Sequence, residues 1–169
     1  MRRKIYQYYV EGECEKRLIE VLKGWNGCNN GLIKQGKISV FNPVQELFSP
    51  MRLMQLEEGT TVILVYDTDV ADASILLKNK SILSKYKTIK EVWFIPQVGN
   101  LEEELIRCTD IRGITELLPS RSKTEFKHDF CCDKKLKEKL EKHKFDYALL
   151  WASNPKGDYA GMGNDKSKL

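Results

Sequence analysis

The stretch TTVILVYDTD, residues 60–69, limits what this chain can fold into more than any other. Val62 to Tyr66 are all apolar or aromatic and follow two β-branched threonines, so no polar face is left to meet water. A run of this kind is a central strand buried on both sides. Its end, Asp67-Thr68-Asp69, places two carboxylates where that strand leaves the core.

The flanking segments have matching character. KIYQYYV (4–10) has strand composition and stops at Glu11-Gly12. In ECEKRLIEVLKGW (13–25), Leu18, Val21, Leu22 and Trp25 recur at helical spacing, predicting a helix that ends near Gly24 or Gly27. KISVF (37–41) reads as a short strand, and PVQELFSPMRLMQL (43–56) as a helical stretch interrupted at Pro50. VADASILLKNKSILSKY (70–86) is helical, and EVWFIP (91–96) is a further strand. NLEEELI (100–106) and SKTEF (122–126) open helices, with Asn100 and Ser122 as caps. KKLKEKLEKHK (134–144) is a charged surface helix, and FDYALLWA (145–152) reads as a late strand.

Alternating strands and helices with doubly apolar strands predict an α/β fold: a Rossmann-like parallel sheet with helices on both faces, followed by a C-terminal helix and the late strand. One domain over 1–153 is expected, with its core at about 4–107, an extension over 108–153 and a flexible tail over 154–169. Tyr8, Tyr9 and Trp93 fall on strands and read as core.

Composition narrows the function classes. No apolar run approaches the roughly 20 residues of a membrane span, and the N-terminus is a poor signal peptide, so a cytoplasmic protein without a membrane partner is expected. Five cysteines without regular spacing fit free thiols in a reducing compartment. His128, Cys131 and Cys132 lack the spacing of a zinc knuckle. The net charge of +4 permits polyanion binding without requiring it. Arg107, Arg112, Arg121, Lys123 and Lys127 come after the acidic segment and are the candidates for contact with phosphates of DNA or RNA, whereas the run Lys134 to Lys144 reads as a solvated helix face.

In an open parallel sheet the functional crevice lies beyond the carboxyl ends of the strands. Glu11 closes the first strand and Asp67 and Asp69 close the central one, so the three carboxylates can share one rim as a hard, oxygen-only site suited to Mg²⁺ or Mn²⁺. A divalent ion would relieve their mutual repulsion and could polarise a phosphoryl group. Glu13 reads as helix-start charge, as do all but one of Glu102, Glu103 and Glu104.

The pairing of VEGECEK (10–16) with VYDTD (65–69) resembles the TOPRIM domain shared by primases, topoisomerases, recombination-repair proteins, ribosomal-RNA maturases and OLD nucleases. The resemblance covers about residues 4–107. It implies that Asp67 and Asp69 bind magnesium and that Glu11 serves as ligand or acid–base group. Glu15, the second acid of V-E-G-x-x-E, and the segment NLEEEL are similar to the nuclease branch, and RSKTEFK (121–127) makes Lys123 a candidate catalytic lysine. The resemblance thus implies a Mg²⁺-dependent nuclease acting on DNA or RNA, in anti-phage defence beside an ATPase or other partner chain, since no ATPase domain is expected in this sequence. VADAS (70–74) after the D-x-D departs from a glycine-led continuation and makes Asp72 a further candidate ligand. Two alternatives stand: a non-catalytic module that binds nucleic acid or a partner protein, and another Mg²⁺-dependent phosphoryl-transfer enzyme.

Overall fold

A computed structural model of the chain describes residues 4–27 and 30–169. Four strands form one parallel sheet: β1 (Ile5–Val10), β2 (Lys37–Val40), β3 (Thr60–Asp67) and β4 (Ile89–Gln97), in the spatial order β2-β1-β3-β4. Val10 lies beside Val40 on one side and Val65 on the other, and Val65 beside Ile95, so the four strands end at one rim.

Alternate side chains divide the core in two, as the pleat of a sheet buried on both faces requires. Tyr8, Val10, Ile63, Val65, Trp93 and Ile95 point to one face. There they meet Leu18, Ile19 and Leu22 of α1 (Glu13–Lys23), Leu101 and Leu105 of α4 (Leu101–Arg107), Leu117 of α5 (Ile114–Leu117), Phe126 and Phe130 of α6 (Lys123–Cys132) and Leu136 and Leu140 of α7 (Leu136–Lys142). Tyr9, Val62, Leu64, Tyr66 and Phe94 point to the other face, against Leu53 of α2 (Pro50–Met54) and Leu76 and Leu83 of α3 (Ser74–Lys85). The expected α/β sheet with helices on both faces is present, Tyr8, Tyr9 and Trp93 are core, and Asn100 and Ser122 cap their helices by accepting the backbone N–H of Glu103 and Glu125. No helix among the described residues is long and apolar enough to cross a membrane. Cys28 lies outside the described residues.

Three expectations are corrected. Residues 43–56 form a turn and then only the short helix α2, because Asn42 accepts the backbone N–H of Val44 and Gln45 and so commits that backbone to a turn. Residues 145–152 are not a strand. Asp146 accepts the backbone N–H of Ala148 through its side chain and those of Leu149 and Leu150 through its carbonyl, and the resulting turn pushes Leu150 and Trp151 into the core. Trp151 sits at φ 54° there, held by an N–H bond to Glu104.

The tail is also ordered. β4 is an edge strand, and Phe94 has its N–H and C=O facing outward; Asp165 accepts the first on Oδ2 (2.9 Å) and donates its own N–H to the second (2.9 Å). Tyr159, Met162 and Leu169 are buried, and Tyr159 stacks on Tyr66. A segment without periodicity is thus fixed by a few contacts to an edge that would otherwise be unpaired.

Candidate functional site

The order β2-β1-β3-β4 puts a topological switch between β1 and β3. From β1 the chain crosses by α1 on one face, and from β3 by α3 on the other, so the two connections part and leave a crevice at the carboxyl ends of these strands. Glu11 and Asp67 flank it. The Glu11 carboxylate accepts the backbone N–H of Asp67 at 3.2 Å, a contact between residues 56 apart in sequence.

Two adjoining recesses open here. The narrower, about 310 Å³, is lined by Glu11, Asp67, Asp69, Glu102, Lys123 and Lys127. The wider, about 730 Å³, shares Glu11, Asp67, Glu102 and Lys127 and adds Glu15, Asn42, His128 and Cys131. Gly12 gives the acids room: a Cβ there would come within 2.9 Å of Glu15 Oε2.

The electrostatics are those of confined like charges. Burial, then the negative charges of Glu11, Glu15, Asp69 and Glu102, push Asp67 up to about 9. Glu15 is 8% exposed, and its carboxyl is raised by burial and by Glu11 and Glu102. Glu11 is raised by burial as well, against the opposing hydrogen bonds from the Asp67 N–H and the Asn42 side chain. Asp67 Oδ1 is buried without a hydrogen-bond partner.

A hard divalent cation suits this donor set, since every anionic donor is a carboxylate and one buried oxygen has no partner. Among the described residues, however, no three His, Cys, Asp or Glu side chains are grouped as a metal cluster. The acids line the recess; with Glu11 turned onto the Asp67 backbone, they do not close on a preformed ion position.

The remaining expected residues separate clearly. Lys123 and Lys127, one turn apart on α6, both line the narrower recess together with the acids. Arg107 is committed elsewhere: it bonds Glu104 at 2.6 Å and the Val98 carbonyl, and pairs with Glu103. Arg112 and Arg121 are exposed and line neither recess, and their backbone N–H groups bond Glu116 and Glu125. Asp72 accepts the backbone N–H and the hydroxyl of Ser74 in the turn before α3 and lines neither recess. Of the acids in α4, Glu102 faces the site, Glu103 lies outside, and Glu104 is fully buried as an anchor for Val98, Trp151 and Arg107. Glu13 is exposed, pairs with Lys16 at 3.3 Å and borders the wider recess.

Two positions have no signal in the sequence. Thr68, between the aspartates, ties β3 to the loop after β4: its N–H donates to the carbonyls of Gln97 and Gly99, and its hydroxyl donates to Gln97 O and accepts the Gly99 N–H. Gly99 takes φ +84° to make that contact. Asn42, just past β2, lines the wider recess beside Glu11. A threonine or asparagine in a loop is too common to be singled out; only the register makes them neighbours of the acids.

No family model, no curated protein and no solved structure matches this chain.

Proposed function

We propose that this recess is a magnesium-dependent phosphodiesterase site of the TOPRIM nuclease type, acting on DNA or RNA. One observation carries the reading: Glu11, Asp67 and Asp69 share a crevice at the switch point of a parallel sheet, with Lys123 and Lys127 facing them. Carboxylates this close without cation or proton are unfavourable, and lysines opposite are where a phosphate would be held.

Glu11, Asp67 and Asp69 would hold the ion. When bound, it supplies positive charge that polarises the phosphoryl group and makes water a better nucleophile. Asp67 would hold the ion in its carboxylate form, with the ion's charge offsetting the repulsion from Glu11 and Asp69. Lys123 and Lys127 orient the phosphodiester and offset the charge that develops on its oxygens. Glu15, buried and shifted toward its protonated form, would hold or release a proton at the leaving oxygen. Thr68 keeps the two aspartates at fixed spacing through its bonds to Gln97 and Gly99.

The acids are not grouped as a ready-made metal cluster among the described residues, an observation that favours a second reading: a binding module whose acidic recess receives a partner's basic surface. Both are tested with labelled single- and double-stranded DNA and RNA, in Mg²⁺, Mn²⁺ or EDTA, alongside Asp67→Ala. Cleavage that needs metal and falls at least about 100-fold in the variant supports the nuclease. Binding without cleavage under every condition, or cleavage that persists in the variant, rejects it.

A further inference from the structure

Beside the wider recess, the sulfurs of Cys14 and Cys131 lie 3.6 Å apart, although 117 positions separate them in the chain. Cys14 is in the first turn of α1 and Cys131 near the end of α6, so the contact joins the two helices that border the acids. The Cys14 thiol also donates to the carbonyl of Lys127, 3.5 Å away. Both sulfurs line the wider recess, Cys14 largely buried and Cys131 half-buried, so a small solute that enters it reaches Cys131.

We propose that Cys14 and Cys131 are a redox modification site: a pair that closes reversibly into a disulfide under a peroxide and clamps α1 to α6. A closure of about 1.5 Å brings the sulfurs to bonding distance. The chemistry balances with peroxide as the oxidant. Burial raises the Cys131 thiol, so its minor deprotonated fraction attacks one peroxide oxygen, the O–O bond breaks, and sulfenic acid forms with release of water after protonation. Cys14, losing its proton, then attacks the sulfenic sulfur, the S–O bond breaks, and the second water leaves as the S–S bond forms. Two thiols and one peroxide become one disulfide and two waters.

Neighbouring thiols compete unequally. Cys132 is exposed, and its sulfur lies 3.8 Å from the His128 ring. Cys108 is buried and donates to the Leu105 carbonyl. The disulfide would fix the separation between Glu15, next to Cys14, and Lys127, one turn before Cys131, so it acts on the recess itself. Its detection does not depend on the nuclease reading.

The test uses the full chain, treated with hydrogen peroxide, unfolded, alkylated and mapped by mass spectrometry. Alkylatable thiols should fall from five to three, with one linked peptide pair joining Cys14 to Cys131, restored by dithiothreitol. The melting temperature of the oxidised protein should rise by about 5 °C or more, because the bond closes a long loop. Cys132→Ser should keep the link and Cys131→Ser abolish it. A Cys131–Cys132 bond instead, or Cys14 still alkylated while Cys131 is oxidised to sulfinic acid, overturns the proposal. Should Cys131→Ser fail to fold, the peptide map of the unaltered chain decides alone.

Discussion

Replacing Asp67 with asparagine should stabilise the protein. The folded carboxyl holds its proton up to about pH 9, against an ordinary aspartate value of 3.8. Between these values the folded state binds more protons than the unfolded state, so this group's cost is absent below about pH 3.8, grows as pH rises, and levels off above about 9. At pH 7, about three pH units at about 1.4 kcal/mol each set a ceiling of about 4 kcal/mol. Burial is the first cause of the shift, and water reaching the open recess weakens it, so about half of that ceiling is expected in the measurement. A stabilisation of about 2 kcal/mol, or roughly 5 °C in Tm for a chain of this size, is expected. The amide keeps the shape of the side chain and cannot ionise. Scanning calorimetry of both proteins in EDTA at pH 5, 7 and 9 is the assay. The gap in Tm should widen with pH. A variant that melts at or below the unaltered protein at pH 7, with a parallel pH profile, would refute the assignment of Asp67 as a confined acid.

Three further outcomes rest on the packing and the site. Glu104→Ala leaves Val98, Trp151 and Arg107 without their acceptor in the interior, and should cost about 3–5 kcal/mol in urea denaturation; a cost under about 1 kcal/mol would contradict the anchoring role. Removing residues 157–169 uncovers the β4 edge and the pocket filled by Tyr159 and Met162, and should lower Tm and quicken proteolysis near β4, whereas a mobile tail would leave both unchanged. If the recess takes nucleic acid, Lys123→Ala and Lys127→Ala should each weaken binding and reduce the salt dependence of log K by about 0.9, while Arg112→Ala and Arg121→Ala change neither; fluorescence anisotropy over a salt series reads this directly.

The sequence by itself determined the class of fold and the acids at the strand ends. That information is local: a doubly apolar run such as Val62–Tyr66 is best satisfied as a strand buried on both faces, a 3.6-residue period marks one helical face, and an acid that ends a parallel strand lies on the rim. Capping chemistry was legible for the same reason, since Asn100 and Ser122 act on N–H groups three residues away. The tertiary structure alone decided which of several equivalent charges meet. Three glutamates stand in a row at 102–104, yet the helix turns one to the recess, one outward and one into the core, and their chemistry is identical until packing separates them. Five cations looked alike, and only Lys123 and Lys127 face the acids, because α6 packs beside α1 while Arg107 is drawn inward by Glu104. The apolar run at 145–152 had strand composition, but one aspartate captured its backbone in a turn, and the tail found its place on an edge that no local pattern foretells. Periodicity encodes how a segment sits on its neighbours' surface; which neighbour it meets depends on contacts between residues far apart, such as Glu11 with Asp67 and Cys14 with Cys131, and these exist only once the sheet has assembled.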